Sequence, residues 1–350
     1  MSSNYERKIF SKIYEIYWSL GGKLGSWIPG VSLGNSIHSY TIRKQIQRVI
    51  TEVRPDVVHA HNLFAAKMMA ELKQIPFIYD AHETWSLVIR RQKEAASIEG
   101  LMHFIREGKI RYAGSRSLTH FRSRLWTKWE RELITSVPVL TPSIAAAARY
   151  RSISENTKVF IVPNYPLNLQ VKDFRPPILQ DELSCAYVGR DKEGQWITHR
   201  NIDCLTALFE SHDIGTLHMI GSDGQSTDKV KYHGFLPKEV MFKELFKHSI
   251  GLIPFRKHWS HTGLNPNKAF EYAHAGLFLM CTSSMTELMS TFGENCQTFE
   301  DHDQLASQLA YFTDNMEELY KKRLKIFDFA HSDLLWEKNE HNIIEAYNAC

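Results

Sequence analysis

Short apolar runs alternate with helix-length amphipathic stretches along this chain, and that alternation predicts its fold class. Residues Ser39 to Glu52 place Ile42, Ile46, Val49 and Ile50 on one helical side. Arg54-Pro55-Asp56 breaks that helix, and Val57 to Ala60 follows as a short buried strand. A helix from Ala65 to Lys73 then leads through Ile75-Pro76 into the strand Phe77 to Tyr79. Strand, helix and strand in so short a span form a βαβ unit, hence a parallel sheet. The series continues with a strand at Val137 to Leu140, a helix at Ser143 to Arg149 and a strand at Val159 to Val162. Pro163 to Pro177, with its PNYPLN and RPP segments, reads as a linker.

After the linker the pattern restarts. Strands are predicted at Cys185 to Val188, Leu217 to Ile220, Val230 to His233, Ile250 to Ile253 and Leu277 to Cys281, with helices from Asn201 and from about Asn267. The expectation is two α/β domains in series: residues 1–165, residues 166–332, and a C-terminal helix at 333–350 that packs back toward the first domain. About fifty-five residues of helix formers and aromatics precede the first strand. Either the N-terminal sheet is reduced or the sequence begins late. No repeat of solenoid period is present.

Composition narrows the partners. The 350 residues are 43% hydrophobic and 23% charged, as in a soluble protein with a sizeable core. A formal net charge of +3 is too small to point to nucleic acid. The basic residues are nonetheless unevenly placed. One cluster is Arg7, Lys8, Lys12, Lys23, Arg43, Lys44 and Arg48, and a second stretch runs from Arg90 to Lys128. Together with Tyr14, Tyr17, Trp18 and Trp27 they suit an anionic membrane surface or a lipid-phosphate acceptor, or equally a solvated helical face. The five scattered cysteines fit a reducing cytoplasm. No apolar run approaches the ~20 residues that span a bilayer, and no secretory h-region is present, so membrane contact is expected to be peripheral, at the inner face.

The chemistry should lie at strand ends, because ligands of open parallel sheets bind outside the carboxyl ends of the strands. Three loops there are polar: His59-Ala60-His61-Asn62, Asp80-Ala81-His82-Glu83 and Thr141-Pro142-Ser143. His61 and Asn62 follow one strand, His82 and Glu83 the next, and pairing of those strands would join them at one mouth. His-x-His and Asp-x-His would also suit zinc in a hydrolase. In the second half, Gly189-Arg190 follows a strand, and an arginine at such a turn can grip a diphosphate. Asn265-Pro266-Asn267-Lys268 opens a helix whose free N–H groups suit an anion. Lys268 in the first turn opposes the helix dipole, which itself points to an anionic ligand. Glu271, a turn further in, is placed to accept from ribose hydroxyls, and Gly276 lets the helix close onto the next strand.

Taken in order, VHAHN, IPFIYDAHE, VLTPSIAAAARY and VFIVPNYP resemble the N-terminal half of family 4 glycosyltransferases. AYVGR, LHMIGSDG, VKYHGFLPKEVM, IGLIPF and NPNKAFEYAHAG resemble the second half, the last block being similar to the SPNKxxEYxAxG variant of the donor signature. The resemblance covers roughly residues 50 to 350. It implies an α/β GT-B fold, two Rossmann-like domains facing across a cleft, here with a reduced N-terminal domain. It also implies a retaining transferase that moves a sugar from a nucleotide diphosphate to a glycan or lipid-linked acceptor, needs no cofactor or metal, and serves polysaccharide or glycolipid synthesis. Residue by residue, Glu271 matches the ribose-binding glutamate, and Asn265 to Lys268 match the diphosphate loop. Gly189 and Gly221 stand at donor-side strand ends, Arg190 matches the phosphate-binding arginine, and His82 the histidine beside the transferred sugar.

Three positions depart from the family. Gly263 stands where a sugar-contacting glutamate is usual, with His261 or Thr262 as replacements. Gln195 stands where a phosphate-binding lysine is common, with Arg200 or Lys192 as replacements. The family's first strand and Gly-rich loop are not recognisable among Gly21, Gly22, Gly25, Gly30 and Gly34. The expected chemistry is front-face displacement, with Arg190, Lys268 and the helix N-terminus stabilising the leaving phosphate. The competing readings are a GT-B-like pseudoenzyme or binding protein, a sugar-nucleotide epimerase, and the zinc hydrolase.

Overall fold

The computed structural model describes residues 36–95, 119–189 and 202–350. The chain divides into two compact units. One comprises Met1–Val139, Asn156–Lys158 and Tyr347–Cys350, the other Leu140–Glu155 and Val159–Ala346. The elements run α1 (Ser36–Val53), β1 (Val58–His61), α2 (Asn62–Leu72), β2 (Phe77–Asp80), α3 (Trp85–Ala95), α4 (Thr119–Ile134), β3 (Val139–Thr141), α5 (Ile144–Ile153), β4 (Val159–Ile161) and α6 (Asn168–Val171). They continue with β5 (Ser184–Val188), α7 (Ile202–Ser211), β6 (Thr216–Ile220), β7 (Val230–Gly234), α8 (Lys238–Leu245), β8 (Ile250–Ile253), α9 (Asn267–His274) and β9 (Phe278–Thr282). The last are α10 (Thr286–Phe292), β10 (Cys296–Phe299), α11 (His302–Asp314), α12 (Met316–Asp333) and α13 (Glu340–Asn348).

Strands β1 to β4 form one sheet in chain order. β1 and β2 pair in parallel with His61 opposite Asp80. In the first unit α2 covers this sheet through Leu63, Ala66 and Met69. Phe64, Trp85 and Trp126 meet edge to face at centroid distances of 5.1–5.3 Å, tying α2, α3 and α4 together. Glu130 of α4 accepts from the N–H groups of Trp85 and Ser86 at 2.6 and 3.0 Å, so a buried carboxylate caps the start of α3.

The second unit carries six strands in the order β10-β9-β8-β5-β6-β7, all neighbours parallel. Counted along the unit this is the doubly wound order, which reverses direction between β5 and β8. Alternate side chains serve two cores. Cys185, Tyr187, Leu217 and Met219 pack with α7 and α11, while Ala186, Ile220, Leu279 and Cys281 pack with α8, α9 and α12. Arg323 of α12 is buried, and its guanidinium donates to the carbonyls of Gly276, Ile178 and His248 at 2.9–3.0 Å. Burial lowers its pKa to about 10.

Two parallel-sheet α/β domains are thus what the alternation predicts. The edge strand β10 escaped the pattern, and the expected tail helix from Leu334 is a short 3-10 turn at Trp336–Asn339 followed by α13. Outside the described residues lie Arg190, Lys192, Gln195, Arg200, the aromatic and glycine-bearing N-terminal segment and much of the basic stretch. No helix among the described residues is long and apolar enough to cross a membrane.

Candidate functional site

In a doubly wound sheet the ligand crevice lies at the carboxyl ends of the strands where the winding reverses. In the second unit that point is flanked by Tyr187-Val188-Gly189 after β5 and Pro254-Phe255 after β8. Lys268 reaches this place from the first turn of α9: its Nζ lies 4.1 Å from the Tyr187 ring centre and 5.5 Å from that of Phe255. α9 starts on Pro266 with no side-chain cap and no acidic residue in its first turn. Its leading amides are therefore not taken by a side chain of the helix start, and Asn267 at its tip is exposed. Glu271 follows one turn behind Lys268. Burial pushes its carboxyl pKa up, against the pull of Lys238 and Lys268.

Close backbone approach shapes the floor. Gly189 N–H donates to the Ile220 carbonyl at 2.8 Å, Gly221 N–H to the Gly234 carbonyl at 2.7 Å, and Ser222 Oγ to the Gly189 carbonyl at 2.7 Å. Gly221 has φ +92°, and a Cβ there would stand 3.3 Å from the Gly189 carbonyl group, so this turn requires glycine. Val188 N–H donates to the Tyr272 hydroxyl at 2.6 Å, fastening β5 to α9.

A second feature of this unit explains Gly263. A Cβ on it would meet the Ala145 Cβ at 3.2 Å and Ser143 Oγ at 3.5 Å, so the start of α5 crowds a side chain at this position. Another carboxylate is present at this helix start: Glu287 accepts from the N–H groups of Ile144 and Ala145 at 2.6 and 3.0 Å, and Ser143 caps Ala146. Asn265 donates through Nδ2 to the Pro142 carbonyl at 3.1 Å, while its buried Oδ1 has no hydrogen-bond partner. His261 is fully buried, its Nδ1 2.7 Å from the Arg256 carbonyl. Thr262 is exposed, and its carbonyl accepts from Glu287 N–H and Thr286 Oγ1 at 3.0 Å.

In the first unit the β1–β2 pairing joins the two histidine loops around one carboxylate. His59 Nε2, His61 Nδ1 and His82 Nε2 lie 2.9, 3.1 and 3.0 Å from Asp80 Oδ2. Tyr347 Oη is 2.9 Å from His59 Nδ1, and the His61 and His82 rings are 4.2 Å apart. Burial alone would raise the Asp80 pKa, but the hydrogen bonds and charge of His59 and His82 hold it well below the usual carboxylate range. The Asp80 hydrogen bond in turn raises His82, against its partial burial, with help from the charges of Asp80 and Glu83. Asn62 adopts φ +81° where β1 turns into α2, and its Oδ1 accepts from Leu63 N–H at 2.7 Å. Glu83 is exposed beside His82. One ligand atom each from His61, Asp80 and His82 falls within 4.8 Å, a spacing that also suits a metal. Three imidazoles sharing one carboxylate oxygen account for the cluster by hydrogen bonding alone.

A cavity of about 440 Å³, lined by Ile75, Phe77, Pro138 and Cys350, opens at the amino ends of β2 and β3, away from these residues. Asp301-His302-Asp303 is the chain's one Asp-x-Asp, and Asp301 caps α11 by accepting from Gln304 N–H at 2.9 Å. Sequence reasoning held His59 and Asp80 as members of the two polar loops and of a zinc reading, but not Asp80 as the shared partner of three imidazoles. Their only signal was position at strand ends, because the register that sets His61 against Asp80 is not written in either strand alone.

Two family models cover most of the chain: Glycosyltransferase Family 4 over residues 19–165 and Glycosyl transferase-like over residues 200–340. Solved structures with the same fold include sucrose-phosphate synthase from Thermosynechococcus elongatus, with TM-score 0.66 and 14% identity over 89% of this chain and 77% of that one. Anabaena Alr3699/HepE in complex with UDP and glucose matches at TM-score 0.59 and 13% identity, over 90% of this chain and 83% of that one. A glycosyltransferase from Rickettsia africae matches at TM-score 0.57 and 12% identity, over 90% and 82%. No curated protein sequence matches the chain.

Proposed function

Because this chain is a family 4-like glycosyltransferase of the GT-B type, we propose that it moves a sugar from a nucleotide diphosphate to a glycan or lipid-linked acceptor, with retention and without a bound metal. The observation that carries the reading is the crevice of the second unit, where the uncapped start of α9, Lys268 and Glu271 meet the strand ends at which the winding reverses. A diphosphate meets the open amides and the positive charge of Lys268 together. Glu271 takes the ribose hydroxyls, and the partnerless Oδ1 of Asn265 accepts from a donor hydroxyl. UDP is the favoured carrier, since Alr3699/HepE was solved with UDP and glucose.

In the reaction the bond from the sugar C1 to the diphosphate oxygen breaks and the bond from C1 to the acceptor oxygen forms on the same face. The leaving phosphate oxygen takes the acceptor proton. Negative charge gathering on that oxygen meets Lys268, the α9 amides and, by its place in the sequence, Arg190. His82, oriented by Asp80 through Nε2, serves the sugar and acceptor side. His61, Asn62 and Glu83 line the same mouth. The basic, aromatic N-terminal sequence supports work at the inner membrane face, where a polysaccharide or glycolipid would be built.

Thermal unfolding with UDP, GDP and ADP tests the donor site, followed by turnover of the matching sugar conjugates. A ligand at about 100 times its dissociation constant stabilises by ~2.7 kcal/mol. A midpoint shift with one nucleoside diphosphate that vanishes in Glu271→Ala is the expected result. No shift with any of them overturns the reading, and a shift without turnover over a broad acceptor panel replaces it by a sugar-nucleotide-binding protein.

A further inference from the structure

A second group of histidines lies in the same unit, outside the donor crevice. His218 is central in β6 between Leu217 and Met219, so it projects to the opposite face of the sheet, toward α8. His233 stands on the edge strand β7, Glu244 in the last turn of α8 and His248 four residues on, between α8 and β8. His218 Nδ1 is 2.9 Å from His233 Nε2, and the His218 and His248 rings are 4.1 Å apart. Glu244 Oε1 lies 3.8 Å from His233 Nε2 and 3.7 Å from His248 Nε2. Its Oε2 faces outward to Lys247 Nζ at 2.7 Å.

Hydrogen bonding accounts for only part of this group, with His218 Nε2 3.4 Å from Thr216 Oγ1. His248 is 1% exposed and its Nε2, aimed at Glu244, has no hydrogen-bond partner. Its Nδ1 is 2.8 Å from Ser184 Oγ, the kind of contact that orients a metal-binding imidazole. Tetrahedral zinc with nitrogen bonds of ~2.0–2.1 Å needs its ligand atoms about 3.3–3.4 Å apart. Three of the spacings, 2.9, 3.7 and 3.8 Å, fall to either side of that requirement, and His233 has to move in to complete the set.

We propose that the second unit carries a zinc site formed by His218, Glu244 and His248, closed by His233 from the edge strand. One ligand atom of each of the first three already lies within 4.8 Å of the others. Three imidazoles and one carboxylate select zinc over calcium or magnesium. Four protein ligands leave no open position, so the ion is structural and staples β7 and the end of α8 to β6.

The test uses chelator-stripped full-length protein carrying His61→Ala and His82→Ala, which removes the histidine cluster of the first unit. Titration with Co²⁺ should give the visible absorption of a tetrahedral site, bleached by one equivalent of Zn²⁺, and Zn²⁺ alone should raise the unfolding midpoint. His218→Ala or His233→Gln should abolish the band, and Ser184→Ala should weaken binding about 10–100-fold. His233 is half-buried on an edge strand, so its variant reports even where loss of His248 prevents folding. No band, or a band that survives both His218→Ala and His233→Gln, overturns the site. Neither result touches the nucleotide-binding test, which is run in chelator.

Discussion

The two units each gather polar residues at the carboxyl ends of their strands, yet they leave those residues in opposite states. In the first unit the cluster is closed on itself, with three imidazoles converging on one oxygen of Asp80 and Tyr347 backing His59. In the second unit other groups stand open: an uncapped helix start, a half-buried carboxyl with a raised pKa and an orphan amide oxygen, with the Lys268 amine held over two rings beside them. A self-satisfied cluster orients a side chain, whereas an unsatisfied one stores binding free energy for a ligand. The difference is why the proposed donor site is drawn in the second unit.

Breaking the open cluster should have the largest effect. Lys268→Met keeps the apolar stem and removes the charge, so kcat should fall about 10²–10³-fold, or ~2.7–4 kcal/mol, with little change in unfolding midpoint. A loss below threefold would remove Lys268 from the leaving-group role. The closed cluster is probed by Asp80→Asn, which should cost on the order of 1.5–3 kcal/mol in stability through its charged hydrogen bonds. The pH dependence of that cost has a definite sign. Asp80 is depressed, so its contribution is present above the unfolded value of about 3.9 and lost as pH falls. His82 is raised, so its contribution is full below about 6.5 and lost as pH rises through its folded value. The gap between wild type and variant in denaturant melts should therefore be widest between about pH 4 and 6.5, and a flat gap would contradict the pairing.

A smaller effect comes from restoring the family residue. Gly263→Glu should destabilise by about 1–3 kcal/mol through overpacking against Ala145 and should not raise turnover. A gain in activity would show that α5 gives way. The smallest effect is expected at the first unit's capped helix, where Glu130→Gln should cost about 0.5–2 kcal/mol, seen as a midpoint shift with unchanged nucleotide binding.

Much of this was legible along the chain. The strands from β1 to β9 follow from short apolar runs between Gly, Pro and polar breaks, because parallel strands buried on both faces need such runs. β10 did not: Cys296-Gln297-Thr298-Phe299 lies at a sheet edge and carries only Phe299 into the core. Lys268 and Glu271 could be named because a lysine in a helix's first turn is locally unfavourable, a conflict visible in sequence. Other features depend on contacts over long separations and leave no local trace. The meeting of His61 with Asp80 needs strand register. The block at Gly263 needs the approach of α5, 118 positions earlier at Ala145. The histidines at 218, 233 and 248 stand on β6, on β7 and just before β8, and their meeting is set only by sheet order.

The carboxylate of Glu287 has a consequence for ligand traffic. Every uncapped helix start is a standing invitation to any phosphate in the cell. At α5 that invitation is withdrawn, because Ser143 and Glu287 already occupy its leading amides with a fixed negative charge. At α11 Asp301 does the same. An internal anion that cannot leave acts as a permanent competitor at those two helix starts, so free phosphate is repelled from both doorways.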